Sequence, residues 1–186
     1  MFSSMIRLWQ ASERYEAGRP PDAPPAPPAE FAVEVQAFGG AQKLRIARET
    51  LRWIQSRSAL RYRADAGGDQ WPTLSEMLAR GQDDCDGLEL VAFHVLRGLG
   101  FGQGELYRAV LRSNDSRQYH MVTLWFDAGP HSDPYVIDPT GWISRDLVRL
   151  RSLGSWRALR LFDEDEQFTA LEMPPAAAES AEVAGP

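Results

Sequence analysis

The sequence predicts an α+β fold in which helices come first and pack on an antiparallel sheet. Three features carry that expectation. Stretches 41–57 and 83–100 repeat apolar residues at helical spacing, whereas from position 106 onward the period becomes alternating. The alternating stretches are also joined by connections short enough for antiparallel neighbours. With 186 residues, 44% hydrophobic and 25% charged, the chain has the balance of one globular domain with tails, large enough to bury a core without staples.

The elements follow in order. In residues 1–16, Met5, Leu8, Trp9 and Ser12 share one face of a short amphipathic helix. Residues 18–28 hold so many prolines that they read as an extended linker, open to a protein partner. Residues 1–30 are therefore read as helix and Pro-rich linker, 31–172 as the folded domain, and 173–186, rich in Ala, Glu and Pro, as a disordered tail. Within 41–57, Leu44, Ala47, Leu51 and Ile54 form a buried stripe opposite charged residues. Leu60 and Tyr62 begin a short extended piece that ends at Gly67-Gly68. Thr73-Leu74-Ser75-Glu76 is a capping box, starting a short helix that stops near Gly81. The next helix begins at 83–85, with Leu88, Val91, Val95 and Leu99 as its buried stripe, Leu96 beside it, and Gly98 and Gly100 at its end. Residues 106–112, 119–126 and 135–138 read as strands, linked by the turn Ser113-Asn114-Asp115-Ser116 and the loop 128–134.

Composition excludes several function classes. A net charge of −6 argues against nucleic acid or an anionic membrane surface as partner. No stretch approaches the ~20 apolar residues of a membrane span. Residues 1–10 carry no apolar signal-peptide core, so the expected location is cytoplasmic. One cysteine cannot form an internal disulfide, and with three histidines it makes a poor structural zinc set. No calcium loop or other metal signature is visible, and no cofactor is expected.

The single cysteine stands out by position. Cys85 lies at a helix start inside Asp83-Asp84-Cys85-Asp86, not on the apolar stripe where a structural cysteine belongs. Helix-end amides favour thiolate and can receive an oxyanion. They are insufficient alone, because the dipole contributes roughly 0.3–1 kcal/mol, less than one pKa unit. The flanking aspartates oppose ionisation, although Asp83 or Asp84 can turn its charge on the amides by capping. A histidine is needed. His94 lies nine residues along the same helix, about 13 Å away, and His131 sits at a Gly/Pro-rich loop tip. His120 shares a strand face with Val122, Leu124 and Phe126. Asp138 ends the neighbouring strand and is placed to accept from one ring nitrogen, leaving the other for the thiol proton. Cys85, His120 and Asp138 are thus candidate nucleophile, base and orienter.

Trp71-Pro72-Thr73-Leu74-Ser75-Glu76-Met77-Leu78, then Asp84-Cys85-Asp86, Leu96-Arg97-Gly98-Leu99-Gly100, His120 and Asp138-Pro139, resemble the transglutaminase-like superfamily over roughly 44–142. The bacterial transglutaminase-like cysteine proteinase group is the nearest in pattern. The resemblance implies a papain-like α+β core and assigns Cys85 as nucleophile, His120 as base and Asp138 as orienter. It also implies Trp71 or Gln82 as a second oxyanion donor beside the nucleophile's own amide. Two positions depart from the usual Gly-Asp-Cys-(Asp/Glu)-Asp: Asp83 stands where glycine is usual, and Gly87 where an acid is usual.

The expected activity is thiol-based acyl transfer on an amide or peptide: hydrolysis as a cysteine peptidase or amidase, or resolution by an amine as a transglutaminase. The substrate is expected to be a protein or peptide. Two other readings are a non-catalytic interaction module that keeps the fold, and metal binding by Cys85, His120 and acidic neighbours.

Overall fold

The computed structural model describes residues 29–65 and 70–169. The expected helix in 1–16, the Pro-rich linker, Gly67-Gly68 and the 173–186 tail lie outside these residues. The chain divides into two compact units at Gly40/Ala41; the described part of the first, 29–40, is helical.

Helix α1 (Ala29–Arg61) is longer than its apolar stripe predicts. Ala47, Leu51 and Ile54 are buried as expected, and Leu44 packs against the same core. Leu60 is helical rather than extended, since Arg57-Ser58-Ala59-Leu60-Arg61 contains no residue that breaks a helix. Only at Tyr62 does the chain leave the helix, forming a parallel bridge with Asp83. Arg63 donates its amide to the Asp83 carbonyl at 2.9 Å, and Asp83 donates its own to Arg61 at 3.1 Å. This bridge anchors the residue two before Cys85.

Helix α2 (Leu74–Arg80) has both halves of the capping box, and Gly81 ends it at φ 66°, the left-handed region where glycine is unstrained. Helix α3 (Cys85–Gly98) is capped by Asp84. Its buried face differs from the predicted stripe: Asp86, Leu88, Glu89, Leu90, Phe93 and Leu96 are buried, Val91 and Val95 only partly, and Leu99 is 50% exposed. An acid, Glu89, lies within the true core-facing face, so a pattern built on apolar residues rotates away from it.

Strands β1 (Leu106–Ser113), β2 (Tyr119–Trp125), β3 (Tyr135–Ile137), β4 (Val148–Arg149), β5 (Trp156–Phe162) and β6 (Gln167–Thr169) form one sheet in the order β4-β3-β2-β1-β5-β6. Every neighbouring pair is antiparallel. The three expected strands are all present, with Phe126 and Asp138 falling just past strand ends. One sheet face packs Leu106, Trp125 and Ile137 against Ala47, Leu51, Phe93 and Leu96 of the helices. The other gathers Leu111, Val122, Leu124 and Val136 with Ile143, Leu153 and Trp156. The architecture is therefore α+β, as predicted. No described helix is long and apolar enough to cross a membrane.

Candidate active site

Cys85 is the first residue of α3, and the aspartates around it are turned onto backbone amides. Asp84 Oδ1 accepts from the Asp86 amide at 3.3 Å, Asp83 Oδ1 from Asp84 at 2.9 Å, and Asp86 Oδ1 from Gly87 at 2.9 Å. Asp84 is thus the cap that sequence narrowed to two residues. The Cys85 sulfur is half-buried, and the backbone amides of Met121, the residue after His120, and of Cys85 itself favour its ionised form. Burial, aided by the charges of Asp84 and Asp86, outweighs these amides and pushes the thiol up to about 12. The resting sulfur is therefore a thiol at neutral pH, and the helix end alone does not ionise it.

His120 is 2% exposed and stands second in β2. Its Nε2 lies 2.9 Å from Asp138 Oδ1. A carboxylate only accepts, so this contact assigns the proton to Nε2 and leaves Nδ1 with its lone pair. Nδ1 is buried and has no hydrogen-bond partner among the described residues. Trp142, nearly perpendicular to the imidazole with ring centroids 5.0 Å apart, and Trp156, with centroids 6.2 Å apart, flank the ring.

Asp138 is fully buried and saturated with donors. Oδ1 also accepts from the Thr140 hydroxyl at 2.8 Å and its amide at 3.0 Å; Oδ2 accepts from the amides of Ile143 at 2.8 Å and Ser144 at 3.3 Å. Gln55 of α1 donates to the Asp138 carbonyl at 2.9 Å. Burial would raise this carboxyl, but the bonds from His120, Thr140 and Ile143 overcome it and hold the group below the usual carboxylate range. Thr140 was not singled out by sequence; its place two residues after Asp138, past Pro139, was the available signal.

Cys85 and His120 line one cavity of about 930 Å³ together with Asp84, Asp86, Met121 and Thr140. Four aromatic side chains border it, Tyr62, Trp71, Tyr119 and Trp142, each at least half exposed. Trp71 stacks on Phe162 with ring centroids 5.5 Å apart. Gln82 is exposed and does not line the cavity; neither do His94 and His131.

The two departures at 83 and 87 are physically one. A Cβ added to Gly87 would lie 2.5 Å from the Asp83 Cβ and 2.7 Å from its Cγ and Oδ2. The side chain at 83 occupies the space where a side chain at 87 would begin, so only one of the two positions can carry the acid. The result is a compact group: Asp83, Asp84 and Asp86 each offer a carboxylate oxygen within 4.8 Å of the others. Oδ2 of Asp83 and of Asp86 are buried without a hydrogen-bond partner. Arg80 Nη1 stands 3.7 Å from Asp83 Oδ2. Burial, then the adjoining Asp84 carboxylate, pushes Asp86 up to about 8. Three aspartates in four residues were the sequence signal for this group, a spacing unlike that of a calcium loop.

No protein-family model matches the chain, and no curated protein matches its sequence. Solved structures do. LapG of Legionella pneumophila aligns with a TM-score of 0.56 at 17% identity, over 73% of this chain and 78% of LapG. Its calcium-bound form gives the same values, and its EGTA-treated form a TM-score of 0.57 with 76% of LapG covered. The likeness is one of fold, and that fold is transglutaminase-like.

Proposed function

We propose that the chain is a transglutaminase-like cysteine peptidase or amidase, acting through Cys85, His120 and Asp138. The observation that carries this reading is that Cys85, at the start of a helix, lines one cavity with an imidazole whose Nε2 is fixed by Asp138. With a resting thiol, the base must act during attack. Nδ1 of His120 takes the Cys85 proton as sulfur bonds to the substrate carbonyl carbon. The oxyanion that forms is received by the Cys85 amide at the helix end and by a second donor, for which we favour Trp71 because it lines the cavity and Gln82 does not. The imidazolium, stabilised by Asp138, gives its proton to the departing amine, leaving a thioester. Water, deprotonated at Nδ1, then releases the acid and restores the thiol. A primary amine in place of water makes the same step a transamidation.

The acidic group suits a divalent cation, because carboxylate oxygens are the ligands calcium takes and two of these oxygens are buried without hydrogen-bond partners. Asp83, Asp84 and Asp86 would hold it. Bound there, a cation would supply positive charge to offset the carboxylates beside Cys85.

The test is digestion of a mixed peptide library read by mass spectrometry, with and without an added primary amine. Wild-type protein is expected to yield cleaved or aminated products and Cys85→Ala none. Equal product from both proteins would remove the reading.

A further inference from the structure

Among the described residues, Glu89 and Asp138 are the two carboxylates with no solvent exposure, and only Asp138 has a part in the chemistry above. Glu89 lies four residues after Cys85, one turn deeper on the same side of α3. Both its oxygens are engaged. Oε1 accepts from the Thr123 hydroxyl at 2.6 Å, and Oε2 from Arg108 Nε at 2.5 Å. Thr123 stands three residues after His120 on β2, and Arg108 is its direct cross-strand partner on β1. Arg108 then returns to the helix: its Nη2 donates to the Asp86 carbonyl at 3.1 Å, one residue past Cys85. The rings of Phe162 and Trp71, 5.2 Å and 6.0 Å from the guanidinium carbon, steady it.

The bonds close a circuit from the first turn of α3, through both central strands, and back to the second turn. Apolar packing between helix and sheet is non-directional and tolerates small slips. Hydrogen bonds weaken steeply with angle, and a thiol must meet its base within hydrogen-bond reach. A buried ion pair is a poor source of stability, because apolar residues of similar volume commonly replace it without loss. What this one supplies is registry. We propose that Glu89, by gripping Arg108 and Thr123, is a positioning residue that fixes the register of Cys85 relative to His120 in the cavity they share. This rests on the reading that His120 takes the Cys85 proton.

Cys85 is the only cysteine, so alkylation of the full chain by iodoacetamide, followed by intact mass, reports on that sulfur alone. The comparison set is wild type, His120→Ala, Thr123→Val, Thr123→Ser and the apolar pair Glu89→Leu with Arg108→Leu. Loss of the base in His120→Ala is expected to slow alkylation by at least about tenfold. Thr123→Val and the apolar pair should fall most of the way to the His120→Ala rate while melting cooperatively, and Thr123→Ser should recover the wild-type rate. The apolar pair leaves no buried charge, so it reports even where Thr123→Val is too unstable to measure. Wild-type rates in Thr123→Val or the apolar pair, with His120→Ala slow, overturn the positioning role and leave the proposed function standing. A wild-type rate in His120→Ala overturns both.

Discussion

Replacing Gly87 with alanine tests the reciprocal packing of positions 83 and 87. The new Cβ would sit 2.5 Å from the Asp83 Cβ, closer than carbon atoms approach, and the opposing atom belongs to the root of a buried side chain, not a flexible tip. Asp83 is further fixed by its backbone bridge to α1 and by its bond to the Asp84 amide. Overpacking of this kind costs about 1–3 kcal/mol. Alanine returns roughly 1 kcal/mol in helix propensity. The net expectation is a loss of up to about 2 kcal/mol, which lowers Tm by roughly 4–8 °C at ~2–4 °C per kcal/mol. Asp83→Gly removes the obstructing Cβ, so in the double variant the alanine should cost nothing and add its propensity. Urea and thermal unfolding of the two single variants and the double complete the cycle. A coupling of about 1–3 kcal/mol that favours the double variant is expected. Strict additivity would refute the idea that the two positions share one space.

Asp138 sets an acid-side limit. Its carboxyl is held below the unfolded value, so its contribution is complete above the unfolded pKa of about 3.9 and is lost as pH falls through the lower folded pKa. The stability gap between wild type and Asp138→Asn, followed by urea unfolding in the acid range, should shrink as pH falls below about pH 4; a gap that keeps growing there contradicts the assignment. The acidic group predicts a cation response: Tm of chelator-stripped protein should rise with calcium, by the equivalent of about 2.7 kcal/mol at a hundredfold excess over Kd. Asp83→Asn and Asp86→Asn should lose that rise, and an unchanged rise in both would place the cation elsewhere. Thr140→Val removes one donor to Asp138 and should weaken its pairing with His120. Turnover is expected to fall by about tenfold with KM little changed, and a change in KM alone would assign Thr140 to substrate binding.

Much of the architecture was legible because its signals are local. Thr73 and Glu76 announce α2 through a capping box that closes on itself, and the change of period at 106 marks the turn from helix to sheet. The pairing of His120 with Asp138 was readable from alternation and a short connection, since a polar residue on an apolar strand face needs a partner nearby. Long-range features were not legible. Glu89 is indistinguishable in sequence from a solvated helix acid until Arg108 and Thr123 are brought beneath it, and this is why the buried face of α3 was misplaced. Strands β4 to β6 are short or only partly buried and lack clean alternation. The exchange between Asp83 and Gly87 reads as two unrelated departures until the turn at the helix start brings them into contact.

The central claim is that the imidazole of His120 takes the proton from the Cys85 thiol. Acylation by p-nitrophenyl acetate, with the adduct mapped by peptide mass, measures that step directly. Wild-type protein should acquire a single acetyl group on Cys85 that is then hydrolysed, while His120→Ala acquires it far more slowly. Acetylation of Cys85 at the same rate in both proteins would contradict the account.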